Sequence, residues 1–264
     1  MTNSGENMPA DAELMRRLAA AAAAETLPRF RQNAAITNKE TSSFDPVTEA
    51  DREAERVIRA LLRARFPDHG ILGEEWGGEN LESRHVWVID PIDGTRAFIS
   101  GLPLWGTLIG LLEEGKAVAG LMAQPFTGEL FFAVGGEAFY EGPGGPNALR
   151  TRRTTRLAEA TLCTTSPALY GASRATYDRL ERAVRMARYG TDCYAFAMLA
   201  AGHVDLVAEA GLQPYDIVAL IPLVEAAGGV VTDWAGGPAE KGGMILAAAT
   251  PELHAAALAL LAEG

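Results

Sequence analysis

Two carboxylates three positions apart, in Asp90-Pro91-Ile92-Asp93-Gly94-Thr95, close the apolar run Val86-Trp87-Val88-Ile89. The run has the β-branched and aromatic content of a buried strand, and Pro91 removes a backbone donor, so the strand is expected to end there. Asp90 and Asp93 can then converge on a hard cation such as Mg²⁺, with the Ile92 carbonyl between them as a third oxygen ligand, the oxygen-only chemistry that Mg²⁺ prefers. Gly94 lets the backbone approach an anion closely, and the N–H groups of Gly94 and Thr95 can point at phosphate oxygens. An Asp-Pro turn followed by an Asp-Gly turn would use the same residues, so the rest of the chain has to decide.

A two-metal phosphatase needs more carboxylates than one motif supplies, and other element ends offer them. Glu74 follows a short strand, Asp216 begins a helix in Gln213-Pro214-Tyr215-Asp216, and Asp45 precedes another in Phe44-Asp45-Pro46-Val47-Thr48. Taken singly, the two aspartates read as helix N-terminal acids favoured by the dipole and Glu74 as a solvated turn residue. Taken with Asp90 and Asp93, they suit hydrolysis by water activated on a divalent ion, a second ion stabilising the leaving alkoxide, with no covalent intermediate. Phosphatases that use an aspartyl nucleophile want D-x-D-x-T after their first strand; here D-x-x-D-G-T follows two helices.

The elements that must position these residues can be read from periodicity. Residues 11–32 read as an amphipathic helix, and a second helix starts at Thr48, where Thr48-Glu49-Ala50-Asp51 has capping-box spacing. A short strand at 71–72 precedes Glu74. Runs over 104–112 and 117–123 suggest a hairpin, followed by strands at 130–134 and 138–140. Glu141-Gly142-Pro143-Gly144-Gly145-Pro146 combines breakers in one loop and divides the chain into an α+β subdomain, 1–142, that carries most of the metal ligands, and an α/β subdomain, 143–264, that completes the metal and substrate site. In the latter we expect strands at 161–164, 204–208, 230–233 and 244–248, and helices at 172–188, 192–201, 215–227 and after Thr250-Pro251.

Composition narrows the function classes. With 48% apolar and 22% charged residues the chain can build a sizeable core, which excludes disorder. A net charge of −11 argues against a nucleic-acid surface, so a phosphorylated substrate is attracted only where cations reverse the local potential. Two cysteines, Cys163 and Cys193, give neither a disulfide framework nor a thiolate metal site. No apolar run is long enough for a membrane span and no leader pattern is seen, so a cytoplasmic protein is expected.

Four ordered motifs, Asp45-Pro46-Val47-Thr48-Glu49-Ala50-Asp51, Gly73-Glu74-Glu75, Trp87 to Thr95, and Tyr215-Asp216-Ile217-Val218-Ala219 with Glu225-Ala226-Ala227-Gly228-Gly229, resemble the inositol monophosphatase-like family of Mg²⁺-dependent, lithium-sensitive phosphatases over nearly the whole chain. The resemblance implies a layered α-β-α-β-α sandwich of the inositol monophosphatase/fructose bisphosphatase type. It implies metal binding by Glu74, Asp90, the Ile92 carbonyl, Asp93 and Asp216, with two or three Mg²⁺ ions per site. It also implies a Thr95 hydroxyl, assisted by Asp45, that orients the attacking water beside Glu74, and a homodimer. Pro46 departs from the non-proline apolar residue usual in the family, next to Asp45.

The stretches Arg96-Ala97-Phe98-Ile99-Ser100, Gly190-Thr191-Asp192-Cys193-Tyr194 and Gly202-His203-Val204-Asp205 look like the histidinol-phosphate phosphatase branch, whereas the inositol branch more often has Thr-Asn-Phe after the motif and small residues where Asp192 stands. Histidinol phosphate carries an ammonium and an imidazole, so carboxylates at Asp192 and Glu209 would favour it over a neutral polyol. Arg96 would help to organise these carboxylates or the phosphate, which Asp93, Gly94 and Thr95 adjoin. Asp192 also reads as a helix N-cap. An inositol-1-phosphatase, a broad-specificity sugar phosphatase and a regulatory binding protein with a vestigial site are the alternatives, the last requiring a missing ligand that this sequence does not show. His203 reads as a helix-end residue, and His69, His85 and His254 have no ligand-spaced partners. Trp76, Trp87, Trp105 and Trp234 read as core or subunit contacts, with Trp105 also suited to the site entrance.

Overall fold

The first helices start where polar side chains take up N–H groups that a helix cannot satisfy internally. Asp11 Oδ1 accepts from Leu14 N at 2.7 Å, and the expected capping box closes with Ala50 N donating to Thr48 Oγ1 at 3.1 Å and Thr48 N to Asp51 Oδ2 at 2.9 Å. The computed structural model describes residues 10–32, 37, 38 and 46–262, so Asp45 lies outside the described residues.

The first part of the chain runs α1 (Ala12–Thr26), β1 (Thr37–Asn38), β2 (Pro46–Val47), α2 (Glu49–Arg65), β3 (Gly70–Gly73), β4 (Gly77–Glu79), β5 (His85–Asp93), α3 (Thr95–Ile99), β6 (Gly106–Glu113), β7 (Lys116–Gln124), β8 (Glu129–Val134), β9 (Glu137–Glu141) and β10 (Asn147–Ala148). It then continues with β11 (Thr161–Thr164), α4 (Arg174–Ala183), β12 (Met186–Tyr189), α5 (Tyr194–Ala200), β13 (Leu206–Leu212), α6 (Pro214–Ile217), α7 (Leu220–Ala226), β14 (Val230–Asp233), β15 (Gly243–Ala248) and α8 (Pro251–Ala262). An eight-stranded sheet is ordered β10-β9-β8-β7-β6-β5-β3-β4 and a five-stranded sheet β12-β11-β13-β15-β14.

These sheets alternate with helices in the expected α-β-α-β-α order. On the outer face of the large sheet, Met15, Leu18, Ile58 and Leu62 of α1 and α2 bury Trp87, Ile89 and Ile109. Between the sheets, Phe196, Leu199, Leu223 and Val224 of α5 and α7 join Leu108, Met122 and Phe131 to Val207 and Ile245. Outside the second sheet, Tyr177, Leu180 and Leu253 cover Leu206 and Leu246. The middle layer sits hard on the large sheet because β6 and β7 carry glycines at the contact. A Cβ at Gly120 would lie 2.1 Å from Ala219 O, and one at Gly110 2.8 Å from Ala219 N.

Several boundaries differ from the sequence reading. The first helix stops at Thr26 and tightens into a 3₁₀ turn over Leu27–Arg29, since Pro28 has no N–H to continue the ladder. The helix expected over 172–188 ends at Ala183; Arg185 N then bonds Ala160 O at 3.0 Å and the chain enters the sheet as β12, tertiary pairing overriding local propensity. The helix expected over 215–227 is two pieces, α6 and α7. Strand β4, Gly77-Gly78-Glu79, has no counterpart in the sequence reading, since glycine is depleted in strands and two of its three residues are glycines. Trp76 is 57% exposed. Trp105 is fully buried against Phe30 and Phe98, away from the site entrance, with ring centroids 5.4 and 4.9 Å away. No helix among the described residues is long and apolar enough to cross a membrane.

Candidate active site

The strand that carries Asp90 does not end at Pro91. β5 continues to Asp93, and its ladder with β6 shifts register between Asp90↔Leu108 and Asp93↔Gly106, so three steps along β5 span two along β6. The resulting bulge absorbs the donor that Pro91 lacks, as prolines in sheets require. It also changes parity. In a regular strand residues three apart face opposite sides; the extra residue turns Asp90 and Asp93 to the same side. Asp90 Oδ1 accepts from Ile92 N at 3.0 Å, and Pro91 O accepts from Thr107 Oγ1 at 2.8 Å, which fixes the bulge.

Gly94 then takes φ +80° and starts α3. A Cβ there would lie 3.2 Å from Trp105 Cα and 3.3 Å from Asp192 Cβ, so the position combines a left-handed backbone with a close approach that glycine alone meets without strain. Thr95 Oγ1 donates to Ile92 O at 3.1 Å. From β3, which runs parallel beside β5, Glu74 N donates to Ile89 O at 3.1 Å, and this sets Glu74 next to Asp90. Asp216 enters from α6, where its Oδ2 accepts from Gln213 N at 2.7 Å. One carboxylate oxygen each of Asp90, Asp93 and Asp216 lies within 4.8 Å of the others.

These acids share a cleft of about 530 Å³ that also takes in Ile92, Gly94, Thr95, Arg96, Asp192 and Glu209. Every site residue expected from the sequence and described in the structure therefore meets in one cavity. Asp192 precedes α5 at φ +41°, with Cys193 rather than Asp192 in the capping position. Glu209, on β13, is buried; its Oε1 accepts from Thr165 N at 2.7 Å and Thr165 Oγ1 at 3.1 Å. Thr165 was missed by the sequence reading. Its only signal there was its place just past the end of a predicted strand.

Like charges and burial dominate the electrostatics. Burial, followed by Glu74, Asp93 and Asp216, holds the Asp90 carboxyl well above the ordinary carboxylate range. Asp93 is raised by burial, Asp216 and Asp192, against the pull of the Cys193 N–H. Burial raises Glu209 against its Thr165 bonds, and raises Asp192 against Thr165 and the nearby Arg96. Carboxylates that resist ionisation together become favourable once a cation sits among them. The donor set is oxygen throughout, which fits a hard divalent ion such as Mg²⁺.

The layered sandwich is the inositol monophosphatase fold. A solved inositol monophosphatase from Zymomonas mobilis superposes with a TM-score of 0.85 at 38% identity, covering 99% of this chain and 100% of that one. The chain belongs to the inositol monophosphatase family, whose model matches residues 11–263 and whose enzymes are phosphatases that use Mg²⁺. Among curated relatives, the chloroplastic bifunctional phosphatase IMPL2 of Arabidopsis thaliana is 43% identical over 210 residues, 78% of this chain and 59% of that protein. A histidinol-phosphatase of Chlorobaculum parvum is 35% identical over 230 residues, 87% of this chain and 88% of the relative.

Proposed function

We propose that the chain hydrolyses histidinol phosphate to histidinol and phosphate, with Glu74, Asp90, Asp93, Asp216 and the Ile92 carbonyl holding two or three Mg²⁺ ions. The observation that carries the substrate assignment is a second pair of carboxylates, Asp192 and Glu209, in the wall of the same cleft. A phosphate and its metals do not need them, and carboxylates bind an ammonium or imidazolium more strongly than they bind the hydroxyls of a neutral polyol. Similarity to a histidinol-phosphatase over most of both chains supports the same reading.

Mg²⁺ supplies acidification of water and neutralisation of charge developing on the phosphoryl and leaving oxygens. The chain supplies position. Gly94 and Thr95 N–H groups at the start of α3 bind phosphate oxygens. The Thr95 hydroxyl donates its one proton to Ile92 O here and keeps its lone pairs for a proton of the attacking water; Asp45 would assist by accepting that hydroxyl proton in place of Ile92 O. Water oxygen bonds to phosphorus as the ester P–O bond breaks in line; the attacking water gives up one proton and the leaving alkoxide takes one up, so that the alcohol and hydrogen phosphate form with no net change in protons.

Steady-state assays with Mg²⁺ on L-histidinol phosphate, inositol 1-phosphate and a sugar phosphate test the reading. A kcat/KM for histidinol phosphate at least about tenfold above the others, worth about 1.4 kcal/mol, is expected. A preference for inositol 1-phosphate, in line with the 38% identical inositol monophosphatase, would overturn the substrate assignment and leave the metal site standing.

A further inference from the structure

Glu55 sits on α2, outside the cleft, with its side chain fully buried beside Arg59, whose Nε lies 2.7 Å from Glu55 Oε1. The carboxylate also accepts from Glu75 N at 2.7 Å and Trp76 N at 3.3 Å. Arg59 donates on to Gly77 O and lies 3.5 Å from Glu79 Oε1. One buried ion pair therefore grips the whole turn between β3 and β4. On the opposite side, Glu74 N is tied to Ile89 O of β5 at 3.1 Å. The fit is close: a Cβ at Gly73 would fall 1.9 Å from Glu55 Oε1.

Stability is a poor reason to bury such a pair, because apolar replacements of similar volume are often neutral or stabilising. What the pair does supply is a fixed direction for residue 74. We propose that Glu55 is a positioning residue: its carboxylate, oriented by Arg59, locks residues 74–76 so that Glu74 meets Asp90, Asp93 and Asp216 in a ready-made metal site. This rests on the reading of Glu74 as a metal ligand. A ligand on a loosely held turn must be ordered when the ion binds, and residues that orient ligands typically change metal affinity by about 10–100-fold.

Direct titration of the purified full chain with Mn²⁺, followed by the electron paramagnetic resonance of the free ion, reads this without any substrate. The double variant Glu55→Gln, Arg59→Met leaves no unpaired buried charge, so it is expected to unfold no more easily than the parent in chelator, yet to bind Mn²⁺ about tenfold more weakly. Excess Mg²⁺ should restore most of its kcat. Glu55→Asp keeps the charge next to Arg59 but is one methylene short of residues 75 and 76, and should show the same weakening. In a Glu74→Gln background neither change should weaken Mn²⁺ binding further, because both act through Glu74. Unchanged Mn²⁺ affinity in folded Glu55→Asp, or a full additional loss in the Glu74→Gln background, overturns the inference. Unchanged affinity in Glu74→Gln itself overturns instead the reading of Glu74 as a ligand.

Discussion

The backbone N–H of Cys193 donates to Asp93 Oδ2 over 2.7 Å, between residues a hundred positions apart. Asp93 closes β5 in the large sheet, and Cys193 leads into α5 in the middle layer. The bond opposes the burial and the neighbouring Asp216 and Asp192 that push the Asp93 carboxyl up. The ionised form that a cation needs is thus supported by a donor from the other end of the fold, and Asp192 arrives at the cleft wall on the same turn.

Asp93→Asn keeps the shape and one acceptor but removes a charge from a crowded cluster. Without a cation that charge is unfavourable, so the variant should melt higher than the parent in chelator. It should show a smaller rise in melting temperature on adding Mg²⁺, and lose about 10²-fold or more in kcat, as removal of a major electrostatic contributor does. A variant that melts lower than the parent in chelator, with its Mg²⁺ response intact, would place Asp93 in a purely structural role.

Thr95 separates two mechanisms. If its hydroxyl orients water, Thr95→Ser should retain appreciable turnover, Thr95→Ala should fall by about 10²–10⁴-fold, the range for a positioned proton-transfer partner, and no phosphoenzyme should accumulate. Rapid acid quench with a ³²P-labelled substrate checks the last point; a trapped phosphothreonine would contradict hydrolysis by direct water attack.

Gly120→Ala should disable the site from a distance. Its methyl would meet Ala219 O at 2.1 Å, and relief requires lifting the segment that joins α6 to α7. Asp216 rides on α6. Overpacking of this kind costs about 1–3 kcal/mol, so the variant should melt lower and bind Mg²⁺ more weakly, whereas Gly115→Ala, where nothing lies within 4 Å and the cost is only the left-handed backbone at φ +81°, should melt lower yet bind Mg²⁺ normally. Calorimetric Mg²⁺ titrations of both variants make the comparison.

Asp51 gives a pH dependence of definite sign. Burial, helped by Glu74 and opposed by its bonds from Thr48, pushes its carboxyl from 3.8 to about 6. The folded state then holds a proton that the unfolded state has released, so this residue's contribution to stability is full below about pH 4 and is lost as pH rises to about 6, by an amount on the order of 3 kcal/mol. Asp51→Asn removes the dependence. In chelator, the stability of the variant relative to the parent should rise by roughly that amount between about pH 4 and pH 7 in urea melts; a flat difference would mean that Asp51 titrates as an ordinary carboxylate.

Asp90, Asp93, Asp216 and Glu74 were legible because each stands at an element end beside its own turn chemistry: Pro91 and Gly94 around Asp90 and Asp93, Pro214 before Asp216, Gly73 before Glu74. What was illegible depends on pairing between distant strands. Thr165 reaches Glu209, 44 residues away, only because β11 lies parallel to β13. The bulge that aligns Asp90 with Asp93 is a property of the β5–β6 register, and sequence alone offered Pro91 as a stop. Glu55 was hidden for another reason. On an amphipathic helix a Glu four residues before an Arg reads as a solvated pair, and only the β3–β4 turn packed over it makes it buried.

Asp192 is the decisive residue for substrate choice. At φ +41° it occupies the left-handed region that Asn tolerates as well as Asp, so Asp192→Asn removes the charge without adding backbone strain, which Asp192→Ala would not do. Loss of a charge-assisted hydrogen bond to the cationic end of histidinol phosphate should weaken kcat/KM for that substrate by about 1.5–3 kcal/mol, while a small phosphate monoester of an uncharged alcohol is nearly unaffected. The ratio between the two substrates is the quantity to measure. An equal loss on both would make Asp192 a support for Gly94, against which it packs, and would remove the main physical argument for a cationic substrate.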